Sequence, residues 1–298
     1  MGSKLAYYLI LLPISKLPYP VLYLFSDFLF VLIYHLVGYR KKVVLDNIKK
    51  SFPEKTEKEH KAIQKGFYKH FCDFILESIK CFSLSKEEGL KRFKLTNPEV
   101  VNEFYDKGQD VIFTGGHYNN WEILAITIGL QMKTLPFGIY KPLSNKFFNQ
   151  KMKESREKYR LKLCPVKEVK QMITTDFGEP KGTIFAVDQS PSNPKKSYWT
   201  TFLNQETAML YGAEKYAKEL NLPVLFCRID KVKRGYYTGT MQVICRDSAN
   251  TAYGEITQLC NIEVEKQIKE EPKYWLWSHK RWKHKRPEGI ELHPRIDE

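Results

Sequence analysis

At 298 residues the chain can hold one α/β domain with an appended segment, or two small domains, and no repeat or low-complexity linker divides it. A net charge of +14 calls for an acidic partner but does not choose among nucleic acid, an anionic membrane and an acidic carrier protein. Six cysteines without C-x-x-C or zinc spacing argue against a disulfide framework or a metal site and for a reducing compartment.

Two apolar runs open the chain, residues 5–14 and 19–37, followed at once by Arg40, Lys41 and Lys42. About 20 apolar residues span a bilayer. The second run nearly suffices, although Asp27 lies in its middle and Pro18 and Pro20 interrupt its start. No small-residue cleavage site follows, so the run reads as a retained anchor, either spanning or lying in the interface. If it spans, the basic cluster puts the rest of the chain on the cytoplasmic side. The organisation expected is an N-terminal membrane anchor over 1–39 and one domain over 40–298.

Residues 40–50 and 57–82 have the apolar spacing of amphipathic helices, with Ile63, Phe67, Phe71, Phe74, Ile75 and Ile79 on one side. Helix 98–106 leads to a strand at 111–114. Helix 121–131, strand 134–140, helix 144–159, a short strand 161–166, helix 167–176 and strand 183–187 follow. Helix 205–220, strands 222–230 and 236–246 and helix 253–270 complete the pattern. The alternation predicts an α/β fold: a mixed, largely parallel sheet flanked by helices.

The chemistry concentrates at residues 111–124, VIFTGGHYNNWEIL. A β-branched run ends in Thr114-Gly115-Gly116, His117 follows, and Glu122 comes five positions later. This reads as strand, glycine turn, then helix, with His117 at the mouth where α/β proteins gather reactive groups. Imidazole titrates near neutrality and suits a general base, and a carboxylate on its other nitrogen would fix the tautomer. Glu122 is the candidate for that orienting role. On an ideal helix the two would lie about 140° apart, so the pair requires His117 to precede the first turn. A second His-x-x-x-x-acid pair, His293 and Glu298, sits in a polar tail without a strand, turn or helix and is set aside. G-x-S-x-G is absent, which disfavours a covalent hydrolase.

GGHYNNWE resembles the H-x-x-x-x-E signature of the lipid A late acyltransferases, within the wider glycerolipid acyltransferase superfamily. The resemblance extends to RKKVVLDNIKKSFPEKTEKE (40–59), YKPLSNKFFNQKMKESREKYRLKL (140–163), Asp188-Gln189, TTFLNQETAMLYGAEKYAKELNLPV (200–224) and YWLWSHKRWKHKRP (274–287). Six segments in the family's order make it specific. It implies a glycerol-3-phosphate acyltransferase-like fold and transfer of a fatty acyl group from acyl-carrier protein to a hydroxyl of a lipid A precursor. His117 would be the base and Glu122 its orienter. The acyl thioester is a co-substrate, and no cofactor or metal is implied. Arg156 and Asp188 carry over as active-site residues, Gln189 with them, and Lys141 and Asn145 are further substrate-contact candidates. The implied partners are the carrier protein, a glycolipid or phospholipid acceptor and the membrane, with the catalytic part on the cytoplasmic side of the inner (plasma) membrane. The family's glycines are replaced here by Asn119 and Arg160.

Two alternatives stand beside this. One is a member of the same family acting on an amino-acid lipid or a lysophospholipid. The other is a membrane-tethered nucleic-acid binder, since the closing cluster Trp275, Trp277, His279, Lys280, Arg281, Trp282 and Lys283 mixes indoles with cations. No RNP, KH or helix-turn-helix pattern supports the second, and the same cluster suits a bilayer surface.

Overall fold

The computed structural model describes residues 2–297; Met1 and Glu298 lie outside the described residues, and with Glu298 the acid of the second pair. The chain begins with short helices α1 (Gly2–Ala6) and α2 (Leu12–Lys16), joined through a π-helical turn, and continues into α3 (Tyr19–Phe30), which runs on as π-helix to Val37. Then come α4 (Lys41–Ser51), α5 (Glu57–Lys80), α6 (Lys86–Arg92), β1 (Phe93–Leu95), α7 (Glu99–Asp106) and β2 (Val111–Gly115). The middle of the chain forms α8 (Trp121–Thr127), β3 (Leu135–Tyr140), α9 (Lys146–Arg156), β4 (Lys162–Pro165), α10 (Val169–Thr174) and β5 (Lys181–Ala186). The remainder gives β6 (Tyr198–Phe202), β7 (Gln205–Met209), α11 (Gly212–Leu220), β8 (Val224–Lys233), β9 (Tyr236–Cys245) and α12 (Glu255–Glu270).

Seven strands form one sheet in the order β1-β9-β8-β2-β5-β3-β4. All neighbours are parallel except β8 and β9, which are antiparallel. The expected mixed, largely parallel sheet flanked by helices is what forms. β2 lies at its centre, and Val111, Ile112 and Phe113 are almost wholly buried, as a parallel strand covered on both faces requires.

One expected element differs. Residues 205–220 do not form a single helix; β6 and β7 make an antiparallel hairpin, and the helix starts only at Gly212. The turn residues Leu203 and Asn204 both have positive φ, 48° and 62°, the signature of a two-residue primed turn. Thr200, Thr201 and Thr207 favour the flanking strands.

Two neighbours at the sheet centre are packed without slack. A Cβ built on Gly182 of β5 would lie 2.1 Å from Cε2 of Phe113 on β2. Gly182→Ala should therefore cost about 1–3 kcal/mol through overpacking. Unfolding in denaturant reads this directly, and an unchanged midpoint would show that the Phe113 ring yields freely.

The apolar helix docks along one side only. Tyr23, Ser26 and Asp27 of α3 face the domain at helical spacing. Tyr23 Oη donates to Glu77 Oε1 at 2.7 Å, and Ser26 Oγ to Asp73 Oδ1 at 2.7 Å. Arg234, at the tip of the β8–β9 hairpin, pairs with Asp27 and Asp73, each at 2.6 Å. Asp27 is thus accounted for by a partner on the domain. Leu24, Phe25, Phe28, Val31, Leu32, Leu36 and Val37 point outward and remain exposed.

Candidate active site

The site follows from strand register. Gly115 at the end of β2 pairs with Ala186 at the end of β5. Two residues beyond each lie His117 and Asp188, so parallel neighbours deliver the two side chains to the same point past the carboxyl ends of the strands. His117 Nδ1 lies 2.7 Å from Asp188 Oδ1, and the His117 backbone N–H donates to Asp188 Oδ2 at 2.7 Å. Gly116 permits this approach, because a Cβ there would lie 3.3 Å from Asp188 Oδ2 and 3.2 Å from Val264. Trp275 Nε1 supplies a further donor to Oδ2 at 2.8 Å. Asp188 is 2% exposed.

These contacts set the charges. Burial alone would raise the Asp188 pKa, but the adjacent His117 and the hydrogen bonds from His117 and Trp275 outweigh it and hold the carboxyl down to about 2. Burial likewise opposes the His117 imidazolium. The Asp188 charge and hydrogen bond prevail, and the imidazole pKa is raised above its ordinary value. In the neutral form Nδ1–H donates to Asp188 and Nε2 carries the lone pair, toward which the Gln189 Nε2 amide lies at 3.1 Å.

Glu122 does not take the orienting role expected of it. Its carboxylate receives both arms of Arg156, from Nε at 2.9 Å and Nη2 at 2.6 Å, and the Trp121 indole N–H at 3.2 Å. Asn120 caps α8 through its side chain, accepting from Ile123 N at 3.0 Å, so Glu122 sits in the first turn and faces the cavity mouth. The five-residue offset left the angular problem open, and the Asp188 register solves it with a different acid.

His117, Glu122 and Arg156 line the mouth of a cavity of about 180 Å³. Its walls are otherwise apolar, with Leu124, Ile128, Ile139, Leu161, Leu163 and Ile184 prominent among them. The Trp121 ring meets the His117 ring edge-on at 5.0 Å. Lys141 and Asn145 are not among the lining residues: both are exposed, and Asn145 caps α9 through Phe148 N at 3.1 Å. The positions where Asn119 and Arg160 replace glycine have φ of 54° and 63°, which explains the family's glycines there. Asn tolerates this region better than Arg.

The closing cluster is divided: Lys280 and Lys283 stay exposed, but Trp275, Trp277 and Arg281 are interior and so cannot form the bilayer or nucleic-acid surface expected of them. Trp275, Trp277 and Arg281 are 2%, 0% and 1% exposed. Arg40 donates to Ser278 O at 2.8 Å, and Asn47 donates to Trp277 O at 3.0 Å and His279 O at 3.1 Å, joining the first recognisable segment to the last. His279 Nε2 accepts from Ser190 N at 3.0 Å and so holds the loop after Asp188-Gln189; burial pushes its pKa down to about 4. Trp275 and His279 therefore support the site, a role that composition alone did not signal.

Residues 3–284 match the family described as bacterial lipid A biosynthesis acyltransferase. The chain is 22% identical over 288 residues to the lipid A biosynthesis lauroyltransferase of Escherichia coli (strain K12), spanning 93% of this chain and 90% of that protein. With a match over nearly its whole length, the chain belongs to the bacterial lipid A biosynthesis acyltransferase family.

Proposed function

We propose that this acyltransferase moves a fatty acyl group from the thioester of acyl-carrier protein to a hydroxyl of a lipid A precursor, with His117 as general base. The observation that carries the reading is His117, oriented through Nδ1 by a buried carboxylate, at the mouth of an apolar cavity. An alcohol is a poor nucleophile at neutral pH, so its proton must leave as the C–O bond forms. Nε2 accepts that proton as the oxygen attacks the thioester carbonyl, the tetrahedral intermediate collapses with cleavage of the C–S bond, and the imidazolium gives its proton to the departing carrier thiolate. Asp188 stabilises the imidazolium. The Gln189 amide occupies the Nε2 lone pair in the free enzyme, so the acceptor hydroxyl takes its place. Arg156, held by Glu122, meets the developing oxyanion or a phosphate of either substrate. The cavity accepts the acyl chain.

The apolar N-terminus supports a membrane-bound enzyme. The continuous helix Tyr19–Val37 is long and apolar enough to cross a bilayer by length and composition. Its polar side is committed to α5 and the β8–β9 tip, which favours embedding in the interface with the outward row in lipid. Near the other end of the anchor, the Tyr7 and Phe147 rings meet at 5.6 Å, linking it to α9, which carries Arg156. A lipid acceptor then reaches His117 from the membrane while the soluble carrier docks from the cytoplasm, on the inner membrane.

The test is lipid mass spectrometry of cells with and without the protein, together with transfer from lauroyl-acyl-carrier protein to a lipid A precursor by the purified enzyme. Removal of residues 1–38 should lower activity on vesicle-embedded acceptor far more than on detergent-dispersed acceptor. A truncated protein that is soluble and fully active on vesicles would reject the membrane geometry.

A further inference from the structure

Behind the site lies a buried acid that the proposed mechanism does not use. Glu77 of α5 is fully buried, and its carboxylate receives three side-chain donors from three different elements. Tyr23 of α3 donates to Oε1 at 2.7 Å, Tyr237 of β9 to Oε2 at 2.8 Å, and Asn120 Nδ2 to Oε2 at 2.5 Å. Asn120 is also the N-cap of α8, and its other amide atom, Oδ1, accepts from Ile123 N at 3.0 Å. The next two residues are Trp121, edge-on to His117, and Glu122, which holds Arg156.

An asparagine amide can present oxygen or nitrogen to the helix. Only oxygen caps it. Both Glu77 oxygens act as acceptors, one from Tyr23 and one shared by Tyr237 and Asn120, so the carboxyl faces the Asn120 NH₂ and leaves oxygen toward Ile123. We propose that Glu77 is a positioning residue: it fixes the Asn120 amide, and through that cap sets the first turn of α8 that aims Glu122 and Arg156 at the substrate. Because Tyr23 lies on the apolar helix, the same carboxylate ties the anchor to the first turn of the active-site helix. The inference rests on the reading of this cavity as the acyl-transfer site.

The test exploits the direction of the hydrogen bond. Glu77→Gln alone is not decisive, because its amide can turn oxygen to Asn120 and NH₂ to the Tyr23 hydroxyl, which accepts as well as donates. Asn120→Asp instead sets a carboxylate against the Glu77 carboxylate and removes the donor between them. In Glu77→Gln/Asn120→Asp the polarity is reversed: the introduced glutamine amide donates, and the introduced aspartate carboxylate accepts and still caps Ile123. With lauroyl-acyl-carrier protein and a lipid A precursor as substrates, kcat of Asn120→Asp should fall at least about tenfold while KM for the donor stays put, as a misaimed catalytic turn predicts. The double variant should return to within about threefold of the starting kcat, the coupling expected of directly bonded neighbours. An unaltered kcat in Asn120→Asp, or a double variant no better than the single, overturns the proposal. Should Asn120→Asp fail to fold, the double variant alone decides: activity supports the arrangement and inactivity rejects it. His117→Ala separates the two readings, since if it keeps its activity the active-site assignment itself falls, whereas an inactive His117→Ala beside an unaffected Asn120→Asp removes only the role of Glu77.

Discussion

Asp188→Asn is expected to lower kcat by about 10⁴-fold, the loss that follows when a buried carboxylate no longer fixes the tautomer of a catalytic imidazole. His117→Ala should lose about 10²–10⁴-fold, the contribution of a positioned base. The pH profile distinguishes a base from a merely structural histidine. His117 must be neutral to accept a proton, and Asp188 holds its pKa above the ordinary value near 6.5. The acidic limb of kcat/KM in the free enzyme should therefore have its midpoint above that value, with activity rising as pH increases through it. In Asp188→Asn the raising influence is gone and burial remains, so the limb moves to lower pH even as the plateau drops. A profile that stays in place in Asp188→Asn would separate the titrating group from this pair.

Glu122→Ala is expected to damage stability as well as rate. Its partner Arg156 is only 20% exposed at the side chain, and Glu122 15%. Removing the acid strands a guanidinium at an apolar mouth, at a cost of about 3–5 kcal/mol. The melting temperature should fall by about 2–4 °C for each kcal/mol. Glu122→Ala/Arg156→Met should recover most of that stability, because neither charge remains, yet stay inactive. Arg156→Lys should fold and still be impaired, since one ammonium cannot reproduce the two-armed contact to Glu122. A stable and active double variant would remove the ion pair from the chemistry.

Much of this fold was legible in the sequence, for stated reasons. The continuous apolar runs at 111–113 and 183–187 announce buried parallel strands, and the apolar spacing of Ile63, Phe67, Phe71, Phe74, Ile75 and Ile79 announces α5. The β6–β7 hairpin was harder to see. Its turn, Leu203-Asn204, lacks the glycine that usually flags two positive φ angles, and the alanines that follow look helical. At the site, His117 was legible from its strand-turn context, but its carboxylate partner was not. Sequence proximity favoured Glu122, whereas adjacency of β2 and β5 is a property of sheet order, across 71 residues of chain. Knowing that the two strands are parallel neighbours would have sufficed, since both residues stand two places past a paired strand end. Trp275 was read as surface because tryptophan among lysines and arginines has the composition of an interface. Only the fold shows that its indole N–H is spent on Asp188.

The contact from Trp275 to Asp188 also orders events during synthesis. The two residues are 87 positions apart, which at about 5–20 residues per second separates their emergence by roughly 4–17 s. The helix Tyr19–Phe30 is made far earlier, while Asp188 still lacks its indole. A ribosome stalled between these two positions therefore carries a chain whose His117 and Asp188 have both been made but whose carboxylate is not yet held by Trp275.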